Sequence, residues 1–275
     1  MICFPNAKIN LGLRIIEKRP DGYHNLETVF YPIGLKDALE AVPNTHNTDY
    51  NLSISGLSGL NTPCLPDNNL VTKAFRILQS KFPLQSADFY LHKAIPTGAG
   101  LGGGSSDAAF ALKLINEINR LDLSETELEN ISAHLGADCA FFIKNKPIFA
   151  SGIGTQFEDI ALSLNGYFLI LVKPDIHVST AKAYSLVHPC RPALSLKDVL
   201  TNSPITWKNT LINDFEVSVF ERYPQIRLIK EQMYLNGAEY ASMSGSGSSV
   251  FGLFRKPLDL RQSFPGCFYW SETLS

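Results

Sequence analysis

The spacing of apolar residues divides the chain into strand-like and helix-like stretches. Ile9-Asn-Leu-Gly-Leu-Arg-Ile-Ile16 is rich in strand formers, Arg19-Pro-Asp-Gly22 signals a turn, and His24 to Ile33 is a second extended run ending near Pro32. Tyr50-Asn-Leu-Ser-Ile-Ser55 alternates as a short strand does. Asn68-Asn69 can cap a helix through about Lys81, with Leu70, Ala74, Ile77 and Leu78 along one face. Phe89 to Ile95 predicts a strand leading into Pro96-Thr-Gly-Ala-Gly-Leu-Gly-Gly-Gly-Ser-Ser-Asp-Ala-Ala109. A helix is expected from about Ser105-Ser106, because Ala111, Leu114, Ile115, Ile118 and Leu121 recur at helical spacing. Ser124-Glu-Thr-Glu127 is a capping box for a further helix that stops near Leu135-Gly136.

The second half has a different texture. Strands are predicted at Ile148–Gly152, Tyr167–Lys173, Glu239–Met243 and Ser249–Phe254, with Cys267–Trp270 as an edge strand. Helices are predicted at Thr180–Val187, Asn213–Glu221 and Gln225–Leu235. The pattern is α/β (α+β) without internal repeats, and a domain boundary near residue 155 gives parts 1–155 and 156–275.

Composition narrows the function classes. A net charge of −2 over 275 residues offers no field for nucleic acid or an anionic membrane. The longest apolar run, Tyr167 to Val172, is far too short to span a bilayer, and MICFPNAKINLGLR has no basic leader before an apolar segment. Cys3, Cys64, Cys139, Cys190 and Cys267 form no CxxC pair, and the histidines lie far apart. These features predict a cytoplasmic protein without disulfides or a structural metal.

The glycine-rich stretch carries the strongest chemical signal. Gly98-x-Gly100-x-x-Gly103, between a predicted strand and helix, matches the dinucleotide fingerprint and would suggest a dehydrogenase. That fold needs a returning parallel strand ending in an acid, whereas here a helix leads to another capped helix. A P-loop needs Lys-Ser or Lys-Thr after the glycines, and neither is present. What remains is the physics common to such loops, in which backbone N–H groups and a helix N-terminus converge on phosphate. Pro96, Thr97, Gly98, Ala99, Gly100, Leu101, Gly102, Gly103 and Gly104 would form that loop, with Ser105 and Ser106 as caps or hydroxyl donors. A plain strand-to-helix turn would need only one or two glycines.

Three stretches together resemble the galactokinase, homoserine kinase and mevalonate kinase superfamily: Asn6-Ala-Lys-Ile-Asn-Leu11, Pro96–Ala109 and Met243-Ser-Gly-Ser-Gly-Ser-Ser249. Lys18-Arg-Pro-Asp-Gly-Tyr-His24, Leu135-Gly-Ala-Asp-Cys139 and the GLGGGSSDAA form of the loop resemble one branch of it. That branch phosphorylates a cytidine diphosphate methylerythritol in the non-mevalonate route to isoprenoids. The resemblance implies a two-domain kinase fold, with a ribosomal-S5-like amino-terminal domain and a ferredoxin-like carboxy-terminal domain. It also implies ATP with Mg2+ as phosphoryl donor, and transfer to a substrate hydroxyl to give the 2-phosphate.

Residue by residue, the resemblance makes Asp138 the catalytic aspartate and Lys8 its partner against developing charge. From the residues alone, Asp138 could equally cap a short helix at Cys139–Ile143, and Lys8 could be a solvated strand-edge lysine. Asn10 lies on the same strand face as Lys8 and is placed beside substrate by the resemblance. Tyr23 and His24 take the cytidine end, or pack together under the turn. Thr180 and Tyr184 match the segment set against cytosine, although a helix-face tyrosine also packs into a core. Asn69 borders the adenine pocket in the family, or caps its helix; Ser244–Ser249 approaches the site, or is a plain turn.

Three positions depart from the pattern. Asn6 stands where proline is usual, Tyr184 where some relatives carry phenylalanine, and Asp107 where asparagine is common. A carboxylate beside triphosphate is unfavourable unless it faces metal or solvent, so the sequence leaves the role of Asp107 and the magnesium arrangement open. The implied partners are ATP and the small-molecule acceptor, with no nucleic acid and no membrane, in a monomer or homodimer. The alternatives are a sibling kinase for homoserine or mevalonate, which needs no cytosine pocket, and a non-catalytic nucleotide-binding module.

Overall fold

The computed structural model describes residues 1–44, 50–56, 68–185, 187, 189–192 and 194–275. Cys64, and Leu186 of the expected 180–187 helix, lie outside the described residues. The chain divides into two compact units, each assembled from separate stretches of sequence. The first comprises Met1–Ala7, Leu35–Thr97 and Gly102–Lys146; the second comprises Lys8–Gly34, Gly98–Leu101 and Pro147–Ser275.

The first unit holds a four-stranded sheet of order β1-β4-β6-β5: β1 (Ile2–Cys3), β4 (Ala38–Pro43), β5 (Asn51–Gly56) and β6 (Ala87–Lys93). β4 runs antiparallel to β6, and β5 runs parallel to it. Four helices complete the unit: α1 (Leu70–Gln79), α2 (Gly103–Ile118), α3 (Glu125–Ser132) and α4 (Cys139–Lys144). Each has a readable local cause. The Asn69 side chain accepts from Val71 N at the start of α1, and Ser124 with Glu127 closes the expected capping box on α3. The buried face of α1 is Val71, Ala74, Phe75 and Leu78, one position round from the face expected, because Phe75 meets Phe89 edge-on at 5.9 Å. Burying one such ring contributes about 1.5–3 kcal/mol.

The second unit holds two sheets. β2 (Asn6–Lys18) and β3 (His24–Lys36) begin the order β2-β3-β7-β8, completed by β7 (Ile148–Ser151) and β8 (Gln156–Asp159). β3 does not end at Pro32. Its register with β7 covers Thr28 to Phe30, so the missing Pro32 N–H lies outside that ladder. The other sheet is antiparallel, of order β10-β11-β9-β12: β9 (Phe168–Lys173), β10 (Tyr240–Met243), β11 (Val250–Phe254) and β12 (Phe268–Thr273). β12 is the edge strand expected around Cys267–Trp270, and it extends to Thr273. Short helices α5 (Thr180–Ser185) and α6 (Leu196–Leu200) precede α7 (Phe215–Arg222) and α8 (Pro224–Leu235). Phe215, Val219, Ile226, Ile229 and Met233 from α7 and α8 pack with Ile170 and Val172 of β9 in one core cluster.

No helix among the described residues is long and apolar enough to cross a membrane. Cys3, Cys139, Cys190 and Cys267 are free thiols.

Candidate active site

The glycine-rich stretch departs from β6 and enters α2. Gly98, Gly100 and Gly102 have φ of +62°, +77° and +71°, values that side chains make costly. A Cβ on Gly100 would collide with the Ser244 carbonyl oxygen, so no other residue fits there. α2 starts at Gly103, two residues before the expected Ser105, with Gly102 as a left-handed N-cap that offers no side-chain bond. Ser105 and Ser106 are therefore not caps but first-turn residues. Ser106 is fully buried, and its Oγ has no hydrogen-bond partner among the described residues. The first N–H groups of any helix lack intrahelical acceptors, so this turn presents amide donors with a positive dipole end.

The same unit positions Asp138 at the N-terminus of α4, half-buried, with no side-chain cap bond. Helix capping thus does not account for this aspartate. Asn69 does cap α1, at 2.8 Å from Val71 N. Asp107 is turned away from solvent: it is 2% exposed and accepts from Lys93 Nζ at 2.7 Å. Its carboxyl is raised to about 7, burial outweighing the pull of Lys93.

In the second unit, β2 opens with Lys8 and Asn10, 3% and 2% exposed. Lys8 is not a solvated edge lysine. Its Nζ donates to Asn10 Oδ1 at 2.6 Å and lies 4.9 Å from the centre of the Phe30 ring. Alternation along the strand puts both side chains on one face, and Asn10 Nδ2 donates to Thr28 Oγ1 on β3. Ser244 joins this group to the glycine stretch: its Oγ accepts from Asn10 N and donates to Gly100 O. Ser249 N donates to Ala99 O, and Lys8 N to Leu101 O. Ser244–Ser249 is therefore more than a turn between β10 and β11, since it braces residues 98–101 from one side.

The 19–24 turn splits its two aromatic residues. The Arg19 guanidinium grips Asp21, Arg19 N donates to Tyr23 O, and Gly22 takes φ +86°. Tyr23 is left 63% exposed, while His24 turns inward and stacks on Tyr184 at 5.0 Å and 24°. The two do not pack together under the turn. Burial, with Lys18 nearby, lowers the His24 pKa, favouring the neutral ring. Tyr184 also meets Phe215 edge-on at 4.8 Å, so part of its ring serves the core. Thr180 is exposed, with its hydroxyl hydrogen-bonded to that of Ser246 at 2.9 Å.

Sequence reasoning missed the residues that hold these loops. Asn213 is 1% exposed, and its Nδ2 donates to Met243 O (2.7 Å) and Gly245 O (2.9 Å). Glu216 Oε1 accepts from Met243 N and Ser242 Oγ. An Asn-Asp pair before a helix reads as a cap, and the Asn213 bond from Phe215 N fits that reading, so the tertiary role carried no signal of its own.

These motifs have known counterparts. Residues 69–146 match the GHMP kinases N terminal domain, and residues 195–262 match the GHMP kinases C terminal domain. A protein of Parabacteroides distasonis named 4-diphosphocytidyl-2-C-methyl-D-erythritol kinase is 52% identical, with all of both chains covered. A crystal structure of a 4-(cytidine 5'-diphospho)-2C-methyl-D-erythritol kinase superposes with a TM-score of 0.80 at 28% identity, covering 98% of each chain. Homoserine kinase from Cytophaga hutchinsonii shares the fold at a TM-score of 0.71 but only 15% identity, over 98% of this chain and 94% of its own. The two-domain kinase fold is thus the one implied by the sequence, and the sibling kinase is the more distant neighbour. The chain belongs to the 4-diphosphocytidyl-2-C-methyl-D-erythritol kinase family of the GHMP kinases.

Proposed function

We propose that this kinase transfers the γ-phosphoryl group of ATP to a hydroxyl of 4-diphosphocytidyl-2-C-methyl-D-erythritol, giving the 2-phosphate. The observation that carries the reading is identity of 52% over the whole of a relative bearing that name, in a chain that keeps the RPDGYH turn. Its parts divide between an ATP-binding part, residues 1–155, and a substrate-side part, residues 156–275.

Phosphoryl transfer of this kind has a loose transition state, so the protein contributes mainly positioning and charge stabilisation. Residues 96–106 bind the phosphates through backbone amides, and the unpartnered Ser106 hydroxyl suits a phosphate oxygen or a water on the accompanying ion. Mg2+ carried by the nucleotide would neutralise charge on its oxygens. Asn69 borders the adenine. Asp138 orients the acceptor hydroxyl and takes its proton, and Lys8 offsets developing negative charge. Lys8 bonded to Asn10 is held in one rotamer, which supports a role requiring fixed direction.

Tyr23, His24, Thr180 and Tyr184 bind the cytidine end, and Asn10 the methylerythritol end. Exposure of the Tyr23 ring beside an ordered His24–Tyr184 stack supports this assignment, since planar bases are gripped by aromatic faces. The enzyme works in the cytoplasm as a monomer or homodimer, without nucleic-acid or membrane partners.

A coupled assay of ADP release tests the reading, with the cytidine diphosphate methylerythritol, homoserine and mevalonate as acceptors. Turnover of the first alone is expected. No turnover of it, or equal turnover of all three, overturns the assignment.

A further inference from the structure

Beneath the phosphate loop lies a buried charge cluster that none of the chemistry above uses. Lys93, the last residue of β6, places its Nζ between two carboxylates, Asp37 at the start of β4 and Asp107 in α2. Asp37 is 1% exposed, Asp107 2% and Lys93 9%. Asp37 also accepts from the backbone N–H groups of Ala94 and Ile95 through Oδ1, at 2.6 and 2.8 Å. Its own N–H donates to Pro5 O. A Cβ on Gly103 would come within 3.4 Å of Lys93 Nζ and 2.9 Å of Ile95 Cγ2. The glycine that opens α2 therefore leaves room for the lysine below the first turn.

Both ends of the glycine-rich stretch are thus tied to one ammonium group. The entry, residues 94 and 95, is held through Asp37; the exit is held through Asp107, four residues into α2. Such an arrangement is not explained by stability alone. Two carboxyl groups and one ammonium are costly to keep in a dry site, and apolar side chains of similar volume are often at least as stable. What charges at fixed hydrogen-bond distances provide is direction, and the loop between the anchors needs it because its glycines restrain themselves poorly.

We propose that Lys93, clamped between Asp37 and Asp107, is a positioning residue that sets the geometry of the phosphate loop and thereby the affinity for ATP. The proposal rests on the phosphate-binding role assigned to residues 96–106, and it explains Asp107 as the exit anchor of that loop.

The test measures KM and kcat for ATP and acceptor, binding of a non-hydrolysable ATP analogue, and thermal melting. Lys93→Met leaves two buried carboxyl groups without their cation, so the informative variant is the double K93M/D107L. It removes the exit anchor but leaves Asp37 its two amide donors. The expected result is a folded protein whose ATP KM and analogue Kd rise by about tenfold, with acceptor KM within about twofold. An unchanged ATP affinity in the folded double variant overturns the proposal. If the double variant does not fold, Asp107→Ala and Asp107→Asn decide. Asparagine keeps an oxygen for Lys93 and should restore most of the ATP affinity lost in the alanine variant, whereas equal affinities in the two overturn the clamp. Gly100→Ala separates this inference from the reading beneath it. Loss of analogue binding in Gly100→Ala but not in the clamp variants refutes the clamp alone. Absence of analogue binding in the wild type, or an unaffected Gly100→Ala, refutes the phosphate loop and the clamp with it.

Discussion

The Ser244 hydroxyl donates to the carbonyl oxygen of Gly100 at 2.8 Å, 144 residues away in sequence. The Ser244 Oγ itself accepts from Asn10 N at 3.2 Å. One side chain therefore fixes the middle of the glycine-rich loop and the start of the strand that carries Lys8. Ser244→Ala should cost about 1–3 kcal/mol of stability through the orphaned groups. It should also raise the ATP KM more than the acceptor KM. Steady-state kinetics with a denaturant titration checks both, and an unchanged ATP KM would remove the bracing role.

Asp138 makes no cap bond to α4, so Asp138→Asn removes no helix cap. Asp138→Asn is expected to lose several orders of magnitude in kcat while retaining ATP binding and melting temperature. Near-normal turnover would deny it the proton-accepting role.

Tyr184 packs on both His24 and Phe215, so truncation also affects the placement of His24. Tyr184→Ala should weaken acceptor binding by about 1–3 kcal/mol, as for a lost base-stacking ring, with the ATP KM little changed. Tyr184→Phe should retain acceptor binding, since the ring contacts survive. Calorimetric titration with the acceptor measures this, and equal affinities for wild type and alanine variant would refute the contact.

Asn213 satisfies two buried carbonyl groups of the 243–245 segment with one amide. Asn213→Ala should cost about 1–3 kcal/mol for each carbonyl left without a donor. Asn213→Asp, which replaces the donor nitrogen by an acceptor, should be worse than alanine. Chemical denaturation of the two variants checks the order.

Burial raises the Asp107 carboxyl from 3.8 to about 7 in the folded protein. Between those values the native state holds a proton that the unfolded chain has released. This group's contribution is therefore full below about pH 4, falls as pH rises toward 7, and is lost above it. Asp107→Asn does not titrate. The melting temperature of the variant relative to wild type should rise between about pH 5 and about pH 7.5. A constant difference across that range would place the titration elsewhere.

Local order was readable wherever neighbours in sequence settle it. The Ser124–Glu127 capping box and the Arg19–Gly22 turn follow from side chains bonding to nearby backbone, and the strand ahead of the glycines from its alternating apolar positions. β4 and β8 were not foreseen: β4 is a short run whose partner β6 is remote in sequence, whereas β8 pairs with the adjacent β7 but has only Phe157 as an apolar signal. The start of α2 was set two residues late because glycine argues against helix, and the rest of the helix overrides that preference.

By itself the sequence determined the chemistry on offer: a glycine loop before a helix, a lysine and asparagine on one strand face, an aspartate after Leu135-Gly136, and the RPDGYH turn. The tertiary structure alone decided what holds those groups in place. Ser244 on Gly100, Asn213 under the second glycine motif, and Asp37 and Asp107 around Lys93 are all bonds between residues remote in sequence. Spacing and propensity describe only what a segment does with its neighbours. A buried polar group must find its partner wherever the fold brings one, and only the folded chain shows where that is.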